Sequence, residues 1–225
     1  MNHIFGKIFH KVYFTFLMLK IRKLGSNDTV LKLINDRSIP EAHAHLKQKY
    51  DQYINEVSRA EMAASYECVN LLNRVCRLFS YKKLLDLGSG FSSFTFRQYA
   101  LSDPTIRVWS VDDDAKWIEK TRDYLYQQKV STENLMMLDE FIAGNEKDFD
   151  LIFLDLNFVE VRKNFIKLAV ERCKPGGIII FDDVHKNDFM YDVLRQTSDL
   201  SVQLYDIKSL TLDEFGRFAL LGKKK

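Results

Sequence analysis

The stretch Leu84-Leu85-Asp86-Leu87-Gly88-Ser89-Gly90-Phe91-Ser92-Ser93 decides the fold. It runs from an apolar strand through a glycine turn into the start of a helix. Glycine at 88 and 90 permits backbone angles and a close ligand approach that a Cβ would obstruct. Ser92 or Ser93 can cap the helix that follows, whose free N–H groups then face the turn.

Outward from this stretch the pattern is regular. Further apolar strands are expected at 106–111, 134–138, 150–154 and 177–181. Helical segments are expected at about 92–102, 114–128, 158–172 and 186–197, with a short connection after the third strand. Alternation of this kind implies an α/β domain: a mostly parallel sheet with helices on both faces. The runs 201–207 and 217–221 read as an antiparallel pair closing one edge. Upstream, residues 29–80 read as helical with a break near Pro40, and 53–79 as one long helix feeding the first strand. The expected organisation is a helical extension over 1–80 and a core over 81–225.

The formal net charge of +2 is unevenly spread. Residues 1–25 carry five basic side chains and no acid, and Lys223, Lys224 and Lys225 end the chain, which leaves residues 26–222 at −6. An acidic body lacks the basic face that phosphate backbones require, so no nucleic-acid partner is expected. The first 24 residues have the spacing of a basic amphipathic helix, suited to a membrane surface or to a second copy of the chain. Their apolar core, 12–19, is shorter than the ~20 residues that span a bilayer. Cys68, Cys76 and Cys173 form no disulfide framework and no CxxC pair, which fits packing in a reduced, cytoplasmic setting.

The second strand ends in Asp112-Asp113-Asp114, 22 residues after Gly90. An acid there can accept the ribose hydroxyls of an adenosine-containing ligand, while Asp114 suits the cap of the next helix. The glycine pattern departs from the dinucleotide fingerprint at Ser93 and carries Asp86 two residues before its first glycine. It is similar instead to the first motif of class I S-adenosylmethionine-dependent methyltransferases. Asp148-Phe149-Asp150-Leu151-Ile152-Phe153-Leu154-Asp155 resembles their fourth-strand motif, and Cys173-Lys174-Pro175-Gly176-Gly177-Ile178-Ile179-Ile180-Phe181-Asp182-Asp183 their fifth. The resemblance implies a Rossmann-like, seven-stranded sheet with an antiparallel last strand. It also implies roles: Asp86, Gly88, Ser89 and Gly90 at the methionine and ribose of the cofactor, Asp112 at the ribose hydroxyls, and Asp139 beside the adenine.

Asp155, Asp182 and Asp183 end adjacent strands and so should open on one crevice. Three converging carboxylates repel one another unless a cation stands among them. Mg²⁺, with oxygen ligands and free positions for substrate, would answer that need and align an acceptor hydroxyl. The set is similar to that of catechol- and macrocin-type O-methyltransferases; in metal-free relatives the same two acids merely close a strand and cap a helix. Asp155 and His185 are the candidate catalytic groups, since Leu156-Asn157-Phe158 offers no other base. The reading is methyl transfer to a hydroxyl of a small molecule or sugar. A metal-independent methyltransferase and a non-catalytic cofactor-binding module are the alternatives.

Overall fold

The computed structural model describes residues 44–225, together with 15, 16, 18, 19, 21–23, 32 and 34. The expected N-terminal amphipathic helix lies largely outside the described residues. Among those residues, no helix is long and apolar enough to cross a membrane.

Among the described residues, eight strands form one sheet: β1 Arg22–Lys23, β2 Lys83–Leu87, β3 Arg107–Asp112, β4 Leu135–Met137, β5 Phe149–Leu154, β6 Cys173–Phe181, β7 Val202–Asp206 and β8 Leu220–Lys224. Their order is β1-β7-β8-β6-β5-β2-β3-β4. All neighbours run parallel except β8, which is antiparallel to both β6 and β7. The expected sheet of seven strands with an antiparallel last strand is therefore present, in the Rossmann-like α/β arrangement. The two residues of β1 add to its edge beside β7. β6 begins at Cys173, earlier than the expected 177, because Pro175-Gly176-Gly177 is carried within the strand as an irregularity opposite Phe149–Leu151.

Side chains alternate across the strands as a period of two requires. Leu84, Leu151, Phe153, Ile178 and Ile180 face one core, shared with α1 Ala44–Glu56, α2 Tyr66–Phe79, α3 Phe91–Ala100 and α4 Ala115–Gln127. Leu85, Leu87, Ile152, Leu154, Ile179 and Phe181 face the other. There they meet α5 Leu138–Ala143, α7 Ile166–Arg172 and α8 Asn187–Ser198. The expected helix 158–172 is broken into α6 Val159–Arg162, a 3₁₀ turn at Lys163–Phe165, and α7. A short helix, α9 Lys208–Thr211, precedes β8. Cys68 and Cys76 are fully buried on α2, and burial pushes both thiols well up.

The expected single helix 53–79 is two. α1 stops at Glu56 and α2 starts at Tyr66, where the Ser65 hydroxyl accepts the Cys68 N–H at 3.1 Å. Between them, Arg217 donates to the carbonyls of Ala60, Glu61 and Ala63, oxygens that a continuous helix would use internally.

Asp86 ties β2, β3 and α3 together from the interior. One carboxylate oxygen accepts from Ser93 (2.6 Å), Ser92 (3.0 Å) and Ser110 (3.4 Å). Arg97 lies beside it, donating to the Ser110 hydroxyl at 2.6 Å. Burial raises Asp86 to about 7, with the serines and Arg97 opposing. A carboxylate raised on folding binds its proton more tightly in the native state. Its contribution to stability is thus present below the ordinary carboxylate pKa and is lost as pH climbs through the folded value. Asp86→Asn should therefore gain on the wild type between pH 5 and pH 8 in urea titrations. A difference independent of pH would contradict the buried ionisation. Ser65→Ala should cost about 1 kcal/mol through the lost cap, a fall in Tm of roughly 2–4 °C for a chain of this size.

Candidate functional site

A cleft of about 500 Å³ opens at the carboxyl ends of β2, β3, β5 and β6. Its first wall is the glycine turn. Gly88 adopts φ +114°, and a Cβ there would lie 2.3 Å from the Asp155 carbonyl oxygen, so no other residue fits. Asp112, at the end of β3, holds this turn: one of its oxygens accepts the Ser89 N–H at 2.8 Å and the Ser89 hydroxyl at 3.1 Å. The other accepts the Asp114 N–H at 3.2 Å, which leaves it further accepting capacity, and Asp112 lines the cleft. Burial raises Asp112 to about 6 despite those bonds. Asp114 caps α4 as expected. Trp117, one turn into α4, donates its indole N–H to the Ser89 carbonyl at 2.5 Å and forms the adjoining wall.

The opposite wall carries the acids. Asp155, Asp182 and Asp183 all line the cleft, and Arg162 is among them. Arg162 is only 3% exposed, with its guanidinium carbon 5.7 Å from the centre of the Phe189 ring. Its Nε donates to the Leu156 carbonyl at 3.2 Å, Nη1 to the Asp182 carbonyl at 3.2 Å, and Nη2 to the Asn157 carbonyl at 2.9 Å. Nη2 also meets Asp155 Oδ1 at 2.6 Å, and Nη1 meets Asp183 Oδ2 at 3.3 Å. Five oxygens thus surround five N–H groups. Asn157 and Asp183 are left-handed, at φ 44° and 59°, so the chain turns sharply just beyond β5 and β6. Asn and Asp tolerate that conformation better than most residues.

Electrostatics separates the three acids. Burial raises Asp155 well above the carboxylate range; Arg162 opposes it, and the neighbouring carboxylates add to it. Burial and Asp183 bring Asp182 up to about 6. Burial also opposes ionisation of Asp183, but Arg162, Lys186 and His185 hold its pKa below the usual value. The cluster therefore contains proton-accepting carboxylates beside a fixed positive charge.

As a site for a divalent ion, this arrangement does not fit. The cation between Asp155 and Asp183 is a guanidinium already fixed on three backbone carbonyls. Among the described residues no group of three or more His, Cys, Asp or Glu side chains could hold a metal ion. Three other expectations place residues elsewhere. Asp86 is sealed beneath the turn and does not line the cleft. Asp139 is exposed at the start of α5, accepting the Glu140 N–H. His185 does not line the cleft, though its Nδ1 stands 3.5 Å from Asp183 Oδ1; its ring lies against Phe218, 6.5 Å between ring centres, and burial lowers its pKa.

Sequence reasoning missed Arg162, Trp117 and Arg217. The need for a cation among the three acids was a usable signal for Arg162, since the segment after Asp155 carries basic residues. The extension contributes Tyr53 and residues 57–59 and 61–64 to the cleft, and Arg217, which also lines it, pins that loop. His43 lies outside the described residues, and His45 is exposed.

No curated protein sequence matches the chain significantly. Its fold is similar to several solved structures. The O-methyltransferase TomG from Streptomyces achromogenes, solved with SAM, is 18% identical with a TM-score of 0.63, covering 83% of this chain and 92% of that one. The O-methyltransferase from Bacillus cereus, solved with SAH, is 16% identical at TM-score 0.60, covering 86% and 96%. The Podospora anserina methyltransferase PaMTH1, bound to SAH, is 17% identical at TM-score 0.58, covering 83% and 89%. A family model described as O-methyltransferase matches residues 36–221, most of the chain, and the chain belongs to that family.

Proposed function

We propose that the chain transfers a methyl group from S-adenosylmethionine to a hydroxyl oxygen of a small molecule. The observation that carries this reading is one cleft that joins the Gly88–Gly90 turn and Asp112 on one side to Asp155 and Asp182 on the other. The cofactor suits the first side: the turn leaves backbone open to the cleft, and the free lone pairs of Asp112 can accept ribose hydroxyls. Solved proteins of the same fold bind SAM or SAH, which supports the assignment.

When bound, S-adenosylmethionine supplies a sulfonium methyl whose carbon–sulfur bond breaks as the carbon–oxygen bond forms, the electron pair leaving with sulfur. The protein's part is to align the acceptor and take its proton. Asp155 and Asp182, both raised by burial, can accept a hydroxyl hydrogen bond and then its proton. This proton acceptor favours an enzyme over a non-catalytic binding module. Phe158 and Met62, both largely exposed at the cleft wall, offer apolar contact to an acceptor. The acidic body and the small cleft favour a small-molecule partner over nucleic acid.

Calorimetry should show S-adenosylhomocysteine binding in the micromolar-to-millimolar range of enzyme ligands. Asp112→Asn, which keeps an acceptor for the Ser89 N–H, should weaken binding by about tenfold, one charge-assisted hydrogen bond's worth. Affinity in the wild type should fall as the pH drops below about 6, where Asp112 takes up a proton. Undiminished binding by the variant would remove Asp112 from the cofactor site.

A further inference from the structure

A cleft that gathers three carboxylates can balance them with a diffusible divalent ion or with a side chain of its own. Here Arg162 lies between Asp155 and Asp183, and its remaining donors are fixed on the carbonyls of Leu156, Asn157 and Asp182. Those carbonyls belong to the turns that follow β5 and β6, so the guanidinium is held by the same backbone that presents the acids. We infer that Arg162 is a built-in replacement for a divalent cation, so that the acceptor end of this cleft works without metal.

Two physical arguments lead there. A Mg²⁺ ion needs about six oxygens near 2.0–2.1 Å, and of the three acids Asp155 and Asp183 each already turn an oxygen to the guanidinium, while an Asp182 oxygen accepts the Asp183 N–H. A divalent ion would also stand within a few ångströms of a buried, permanently charged arginine, a repulsion that a low-dielectric wall amplifies.

The occupancy part stands apart from the methyl-transfer reading, because it is measured without substrate or cofactor. Mn²⁺ added to the chelator-treated wild type should keep its free-ion paramagnetic resonance signal up to about 1 mM, the weak end of carboxylate cation sites. Arg162→Gln removes the charge and frees the acids, so it should take up one Mn²⁺, and Asp183→Asn in that background should release it. Arg162→Lys restores a cation and should bind none. Mn²⁺ uptake by the wild type that Asp183→Asn abolishes would overturn the inference. So would a folded Arg162→Gln protein that takes up no Mn²⁺. If Arg162→Gln does not fold, the wild-type titration with and without Asp183→Asn decides by itself. Turnover assays supply the second arm: chelator should leave the rate unchanged, and a rate lost in chelator and restored by Mg²⁺ would overturn the inference.

Discussion

The close approach of β2 and β5 at their carboxyl ends constrains everything around the cleft. The Asp155 N–H donates to the Leu87 carbonyl at 2.7 Å, and the Gly88 N–H to the Val111 carbonyl at 2.9 Å. The two chains pass so near that only a residue without a Cβ can stand at 88. One backbone contact thereby sets both halves of the site. It aims the glycine turn toward Asp112 and fixes where Asp155 leaves its strand. A cofactor on the turn and an acceptor at Asp155 are neighbours because their two strands are.

The buried charges form two separate systems on either side of that contact. Beneath the turn, Asp86 is bonded to three serine hydroxyls with Arg97 nearby, and its pKa near 7 leaves it part-protonated in neutral solution. At the cleft, Arg162 serves Asp155 and Asp183. The difference lies in exposure. Asp86 is sealed and acts on the fold, whereas Asp155 and Asp183 keep part of their surface open and can act on a ligand. An arginine beside each system keeps the cost of burying carboxylates from falling wholly on protonation.

Spacing made part of this legible. Strand-end residues of a parallel sheet converge by topology, so the glycine turn, Asp112, Asp155, Asp182 and Asp183 could be placed together from sequence alone. What depends on helix breaks could not. Arg162 reaches the acids from the last residue of α6, where the chain gives way to a 3₁₀ turn, and the sequence pattern there reads as one continuous helix. The same holds for the loop after α1, whose existence depends on Arg217, more than 150 residues away. Local identity also misled in two places. Asp86 shares a motif with the turn but points under it, and His185 meets Asp183 at 3.5 Å yet packs on Phe218 outside the cleft wall.

Charge also bears on direction in the proposed reaction. The acceptor side of the cleft sets Asp155, Asp182 and Asp183 among Arg162, Lys186 and Arg217, with Asp112 on the cofactor side. A sulfonium is positive and the thioether left behind is neutral, so transfer removes the charge that the carboxylates attract. The proton released by the acceptor goes to the same cluster and lowers its negative charge at the same moment. Both changes weaken the hold on the spent cofactor. A guanidinium that never titrates is a suitable counter-ion for such a cycle, because the balance is then set by substrate, product and one proton rather than by the supply of a metal.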